Sequence, residues 1–320
     1  MIKVGIIGGA GYTAGELIRL LLNHPQVEMV FVHSSSNAGA HLYEVHEGIF
    51  GDTDMRFSDT YDLNAIDVLF LCSAHGKSRE FWSENALPEH LKVVDLAQDF
   101  RDESEGYVYG LPEMQLAKIE GARKIANPGC FATAIQLALL PLAAAGKLPQ
   151  EVQVTAVTGS TGAGVKPGAT THFSWRNNNL SVYKAFEHQH LLEICRNLKG
   201  LQPSFEGGIN FVPMRGDFAR GIFASAHVKS DMTAEEAVKL YKDFYAEAAF
   251  TFVSDTPVDL KQVVNTNKCV LSIEKHGDNL LICSAIDNLL KGASGQALQN
   301  MNIICGLDQK TGLKLKASAF

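Results

Sequence analysis

The sequence has no cysteine pair in CxxC spacing, no long apolar run and no excess of positive charge. Its six cysteines, Cys72, Cys130, Cys195, Cys269, Cys283 and Cys305, are widely scattered. That spacing excludes a zinc ribbon or a small disulfide scaffold, so reduced thiols and no metal are expected. The longest weakly polar run, Ala134 to Gly146, contains Gln136 and Pro141 and falls short of the roughly 20 residues a membrane span needs. Lys+Arg number 28 against Asp+Glu 35, a net charge of −7, which argues against a broad nucleic-acid footprint. The amino terminus runs straight into a glycine turn and does not read as a secretory leader. A cytoplasmic protein with neither membrane nor nucleic-acid partners is therefore expected.

Against these absences, 320 residues with 46% hydrophobic content suit about two globular domains. Ile2 to Ile7 reads as a strand, Gly8-Gly9-Ala10-Gly11 as a turn, the leucines from Leu17 to Leu22 as a helix, and Val27 to Val32 as a second strand. This is the βαβ opening of a doubly wound sheet. Further strands are predicted at Ile66 to Cys72, Leu91 to Leu96 and Arg123 to Ala126, with a helix over Ser78 to Ala86. The texture then changes. A helix over Phe131 to Ala145 and a strand over Glu151 to Thr158 lead into a Gly- and Asn-rich stretch from Gly159 to Leu180. Strands are predicted at Ile209 to Val212, Gly221 to Val228, Cys269 to Glu274 and Asn279 to Ala285, and helices at Ala234 to Ala248 and Leu289 to Ile304. The fold class is α/β: a Rossmann-like dinucleotide-binding domain plus an α+β second domain, with the active site expected between them.

Chemistry is carried by three places. In Gly8-x-x-Gly11-x-x-Ala14, missing Cβ atoms let the backbone approach a pyrophosphate at a helix start; a purely structural turn is the alternative. The second strand runs out through Ser34-Ser35-Ser36-Asn37, with no carboxylate to repel a 2′-phosphate and with three hydroxyls and an amide to donate to it. This favours NADP over NAD, although no Arg stands in this loop; a simple polar turn is the alternative. Asn127-Pro128-Gly129-Cys130 sets a thiol at a helix start, where the dipole favours a thiolate; a buried core thiol is the alternative. His188 and His190 are acid/base candidates, and on one helix they would point about 200° apart. Gly159-Ser160-Thr161-Gly162-Ala163-Gly164 reads either as an anion-binding nest or as a flexible loop. Lys166, Arg176, Arg215 and Arg220 are candidates for a substrate phosphate or carboxylate.

Together these segments resemble the N-acetyl-gamma-glutamyl-phosphate reductase family, NADPH-dependent enzymes of arginine biosynthesis. The matching stretches are Gly8 to Leu17, Asn127 to Cys130, His188-Gln189-His190 with Glu193-Ile194, Arg220-Gly221-Ile222, and Asp287 to Ala297, in the family's order over nearly the whole chain. The resemblance implies a semialdehyde-dehydrogenase fold, Cys130 as nucleophile and His188 or His190 as its acid/base. It implies cofactor contacts from Gly8, Gly11, Tyr12, Thr13, Ala14, Ser34, Ser36, Ser73, Ala74, His75, Gly76 and Asn288. Substrate contacts are expected from Ser160, Gly162 and Arg220, and the substrate is a small acyl phosphate. The resemblance also implies a discontinuous nucleotide domain, 1–129 and 288–320, around a substrate and oligomerisation domain, 130–287, in a homodimer or homotetramer. Two departures stand out: the family often has an Arg near Ser36, and often a Pro where this chain has Leu192. Aspartate-semialdehyde dehydrogenase and a nonenzymatic NADP-binding redox sensor are the rival readings.

Overall fold

The computed structural model describes residues 1–318. The chain divides into two compact units, one formed by Met1–Pro128 with Ala293–Lys314, the other by Gly129–Gly292 with the segment from Leu315. The predicted boundaries at 129/130 and 287/288 therefore shift: residues 288–292 and the chain from Leu315 belong to the second unit. Hydrogen bonds give the reason. Asp287 accepts the N–H groups of Leu289 and Leu290 within its own unit, and the carbonyl of Lys316 accepts from Asn265.

The first unit is built on a six-stranded parallel sheet in the order β2-β1-β3-β4-β6-β5. Its strands are β1 Ile2–Ile7, β2 Val27–His33, β3 Val68–Leu71, β4 Lys92–Asp95, β5 Val108–Tyr109 and β6 Lys124–Ala126. All four residues of β3 are buried, as expected for a parallel strand covered on both faces. Strand order reverses between β1 and β3, so their carboxyl ends form the switch-point crevice where such sheets bind ligands. The helix Gly295–Ile304 also belongs to this unit, where Asn300 Nδ2 donates to the Gly110 carbonyl at 2.9 Å and to Asn127 Oδ1 at 3.1 Å. Strand β5 and the helix Pro112–Glu120 were not anticipated from the sequence.

The second unit carries a seven-stranded mixed sheet in the order β11-β12-β13-β10-β7-β9-β8. Its strands are β7 Glu151–Thr158, β8 Ser181–Val182, β9 Gly208–Arg215, β10 Ile222–Lys229, β11 Thr251–Val253, β12 Cys269–His276 and β13 Asn279–Ile286. The helix Cys130–Ala144 packs on β10 and β13 and against the helices His190–Leu201 and Ala234–Phe244. Because protein covers it all round, it is apolar all round, with Phe131 through Ala143 buried. No helix among the described residues is long and apolar enough to cross a membrane.

Pro141 sits inside this helix and has no N–H for the carbonyl of Leu137. The fold supplies a replacement donor: Tyr245 Oη donates to the Leu137 carbonyl at 2.5 Å, and Tyr241 Oη to the Ala138 carbonyl at 2.5 Å. Tyr245→Phe would leave a buried carbonyl without that donor, and should cost about 1–3 kcal/mol of unfolding free energy. In a Pro141→Ala background the restored backbone N–H serves Leu137, so the loss should shrink. A double-mutant cycle in urea measures the difference; equal losses in both backgrounds would refute the compensation.

Candidate active site

In the first unit the glycine turn follows β1. Gly8 has φ +83°, and a Cβ there would lie 2.9 Å from the Cys72 carbonyl carbon and the Ser73 nitrogen, so the turn presses against the loop after β3. Gly11 instead faces open space. It starts the helix Tyr12–Leu22 without a side-chain cap, which leaves the positive end of that helix facing the turn. His46 buttresses the turn from below, its Nε2 2.7 Å from the Gly9 carbonyl. Thr13 is fixed by Ser294 Oγ, which donates to its carbonyl at 2.7 Å.

Ser34 and Ser36 lie at the carboxyl end of β2, next to this turn, since the Gly9 N–H donates to the His33 carbonyl at 2.9 Å. Asn37 Nδ2 donates to both hydroxyls, at 3.1 and 3.0 Å. The Ser73-Ala74-His75-Gly76 loop is tethered to the loop after β4. The Gly76 N–H donates to Asp99 Oδ2 at 2.9 Å, the Gln98 N–H to His75 Nδ1 at 3.2 Å, and Ser78 Oγ to the fully buried Asp95 at 2.9 Å. Burial pushes the Asp95 carboxyl up to about 6. A close-approach glycine, an open helix N-terminus and a hydroxyl-lined turn at a switch point fit a dinucleotide.

In the second unit Cys130 is the first residue of its helix, with Gly129 as cap. Gly292 packs directly on it: a Cβ at 292 would lie 2.9 Å from Cys130 Cβ. The Gly129 N–H donates to Glu193 Oε2 at 3.1 Å, and the other carboxylate oxygen lies 4.0 Å from His190 Nε2. Phe131 meets both imidazoles edge-on, with centroids 5.4 Å from His188 and 6.3 Å from His190.

The two histidines do not share a helix, so the expected 200° separation does not apply. The helix begins at His190, and His188 precedes it as a cap: its Nδ1 accepts the His190 N–H at 3.3 Å. The rings consequently lie together, 4.7 Å apart. With Nδ1 accepting, the proton of neutral His188 sits on Nε2. Burial, with Lys184 and Arg215 nearby, lowers its pKa to about 4.

Tyr183 stands beside these rings, its centroid 5.9 Å from that of His188. The Arg215 guanidinium lies 4.6 Å over the Tyr183 ring. Burial, with added repulsion from Cys130, pushes the Tyr183 hydroxyl up to about 12. Arg176 is instead structural, its guanidinium donating to the carbonyls of Thr170, Asn179 and Arg215. Arg220 forms two hydrogen bonds to fully buried Asp287, at 3.0 and 3.1 Å. Asn288 accepts the Gly221 N–H at 2.7 Å and donates to Thr161 Oγ1 at 3.0 Å. The nest reading of residues 159–164 is corrected. The N–H groups of Gly159, Ser160 and Thr161 donate to the carbonyls of Gly221, Phe218 and Ala219, and those of Gly162 and Gly164 bond within the loop.

Residues 3–122 match the semialdehyde dehydrogenase NAD binding domain, and residues 130–288 the semialdehyde dehydrogenase dimerisation domain. N-acetyl-gamma-glutamyl-phosphate reductase of Bacteroides thetaiotaomicron is 60% identical over 100% of both chains, and that of Flavobacterium johnsoniae 53% identical over 100% of both. The chain belongs to the N-acetyl-gamma-glutamyl-phosphate reductase family. Its fold is shared with aspartate semialdehyde dehydrogenase II of Vibrio cholerae, at TM-score 0.75 and 15% identity over 96% of this chain and 98% of that one. The Candida albicans aspartate semialdehyde dehydrogenase solved with NADP gives TM-score 0.72 at 16% identity, over 95% of this chain and 98% of that one.

For this reductase family member, sequence reasoning quoted Glu193 only as part of a motif and did not consider Tyr183. The Glu193 signal was available: a carboxylate three residues after His190 is one helical turn away. No comparable signal marks Tyr183.

The His188 assignment has a measurable consequence. Its native pKa lies below the unfolded value near 6.5, so it contributes stability that is complete above about 6.5 and lost as pH falls toward 4. The contribution is of the order of 3 kcal/mol. His188→Asn keeps an acceptor for the His190 N–H but cannot titrate in this range. Between pH 7 and 4 the variant should lose about that much less stability than wild type in denaturant titrations. Parallel profiles would place the titrating group elsewhere.

Proposed function

We propose that this chain catalyses the NADPH-dependent reduction of N-acetyl-γ-glutamyl phosphate to N-acetylglutamate 5-semialdehyde and phosphate, a step of arginine biosynthesis in the cytoplasm. The observation that carries this reading is the linkage of Gly129, Cys130, His190 and Glu193. The Gly129 N–H, one residue before the thiol, and the His190 ring face the two oxygens of one buried carboxylate, which supports a thiol and an imidazole working together.

His190, paired with Glu193, takes the Cys130 proton, while His188, held neutral, caps the helix and offers its Nε2–H to the pocket. The thiolate adds to the acyl carbonyl carbon, and the C–O bond to phosphate breaks. The leaving phosphate takes the proton from His190, and a thioester remains on Cys130. NADPH, when bound, would supply the hydride that reduces the thioester carbonyl carbon. The C–S bond then breaks, the aldehyde leaves, and the regenerated thiolate recovers a proton through His190. One proton is consumed per turnover. The helix start faces the oxyanion with its positive end, and Arg215 supplies positive charge for an anionic substrate. Ser160 offers a hydroxyl; Gly162 and Arg220 shape that side of the pocket.

Gly8, Gly11 and residues 12–14 would hold the dinucleotide at its pyrophosphate, and Ser34 and Ser36 at its 2′-phosphate. The Ser73–Gly76 loop would position its remainder. The match of residues 130–288 to the semialdehyde dehydrogenase dimerisation domain supports pairing with another copy in a dimer or tetramer.

Cys130→Ser should lower phosphate-dependent NADP reduction with N-acetylglutamate semialdehyde by more than about a thousandfold. NADPH affinity should stay within about twofold. Substantial turnover by this variant, or loss of cofactor binding, would overturn the assignment, and preference for aspartate semialdehyde would overturn the substrate.

A further inference from the structure

The Ser34–Asn37 turn offers hydroxyls and an amide but no cation, whereas a 2′-phosphate carries close to two negative charges near neutral pH. The fold brings a cation to this turn from a distant stretch of sequence. Segment Met55–Ser58 runs alongside both ends of the turn. The Ser34 N–H donates to the Ser58 carbonyl at 3.0 Å, the Ser58 N–H to the Val32 carbonyl at 3.0 Å, and the Gly39 N–H to the Phe57 carbonyl at 2.9 Å. Arg56 lies within this clasp, bridged to His41.

Its guanidinium is held by neutral groups. Nη1 donates to the Gly39 carbonyl at 2.6 Å, and Nη2 donates to His41 Nε2. The His41 Nδ1–H donates to the Asp54 carbonyl at 3.0 Å, which keeps Nε2 as the acceptor. The other arginines and lysines near the carboxyl ends of these strands differ. Lys77 pairs with Glu80, and Arg79 with Glu105. Arg56 is exposed, and among the described residues no carboxylate pairs with it. An exposed guanidinium fixed in place by neutral acceptors keeps its charge and part of its donor set for another anion.

We propose that Arg56 is the residue that discriminates NADPH from NADH, its guanidinium binding the 2′-phosphate together with the Ser34 and Ser36 hydroxyls. This inference rests on the dinucleotide reading above and adds the source of cofactor choice. His41 acts as a positioning residue for the guanidinium.

The test is calorimetric titration of the full-length chain with NADPH, NADH and 2′,5′-ADP, at one fixed salt concentration. Arg56→Gln should weaken NADPH and 2′,5′-ADP roughly tenfold to a hundredfold and leave NADH within about twofold. Arg56→Lys keeps the charge without the planar fork and should give the same discrimination at smaller size, which covers the case of a poorly folding Arg56→Gln. Equal losses for NADPH and NADH would reduce Arg56 to a structural clasp and overturn the proposal. No loss for either would overturn it as well. Wild-type protein that binds neither dinucleotide would instead overturn the underlying cofactor reading.

Discussion

The buried carboxylate of Glu193 is the constraint on which the cysteine site depends. A carboxylate that is 5% exposed must be compensated, and Glu193 faces polar groups on two chain segments. One oxygen takes the Gly129 N–H at 3.1 Å, immediately before the cysteine helix; the other faces His190 at 4.0 Å. Two helix starts are thereby joined, and both direct their positive ends toward one place. His188 completes the junction by capping the second helix with its own ring. The thiol, the imidazoles and the field that favours negative charge are consequences of one packing arrangement.

The parts that were legible in the sequence are those in which local pattern and tertiary role coincide. The β1–glycine–helix–β2 opening could be read because Gly8 needs positive φ and close approach, and both demands show as a missing side chain. The apolar stretch after Cys130 could be read as a helix for a similar reason, since burial on all sides leaves no polar face to confuse the pattern. The histidine pair was misread because its helix carries no standard start signal. Gln189 occupies the cap position, and the capping acceptor is the ring of His188, a residue type not normally counted as a cap. Strand β5 is only two residues long, too short for any periodicity.

Charged and glycine-rich segments were ambiguous for a different reason. Arg176, Arg215 and Arg220 are equivalent as letters, and only the fold separates them. Arg176 is enclosed by carbonyls and Arg220 by Asp287, while Arg215 lies over Tyr183 beside His188. The same holds for residues 159–164, where composition suggests an open backbone cradle. Pairing with 218–221 occupies the N–H groups such a cradle would need. Sequence composition indicates what a segment can do, and the partner segment decides whether the groups are still available.

The stretch from Asp287 to Asn302 shows how far this goes. Asp287, Asn288, Gln296, Asn300 and Asn302 are polar yet almost wholly buried, contrary to what their composition implies. Three of them hydrogen-bond backbone groups of remote segments: Asp287 the Asn265 N–H, Asn288 the Gly221 N–H and Asn300 the Gly110 carbonyl. Apolar side chains would bury as well but would tolerate sliding, whereas these bonds fix the register of the segment residue by residue. Register matters because of Gly292, whose Cα leaves no room for a Cβ over Cys130. A slip of one position would bring Lys291 or Ala293 against the cysteine helix, and either would displace the thiol. The buried polar groups thus protect the geometry of the nucleophile by preventing its neighbour from being anything other than glycine.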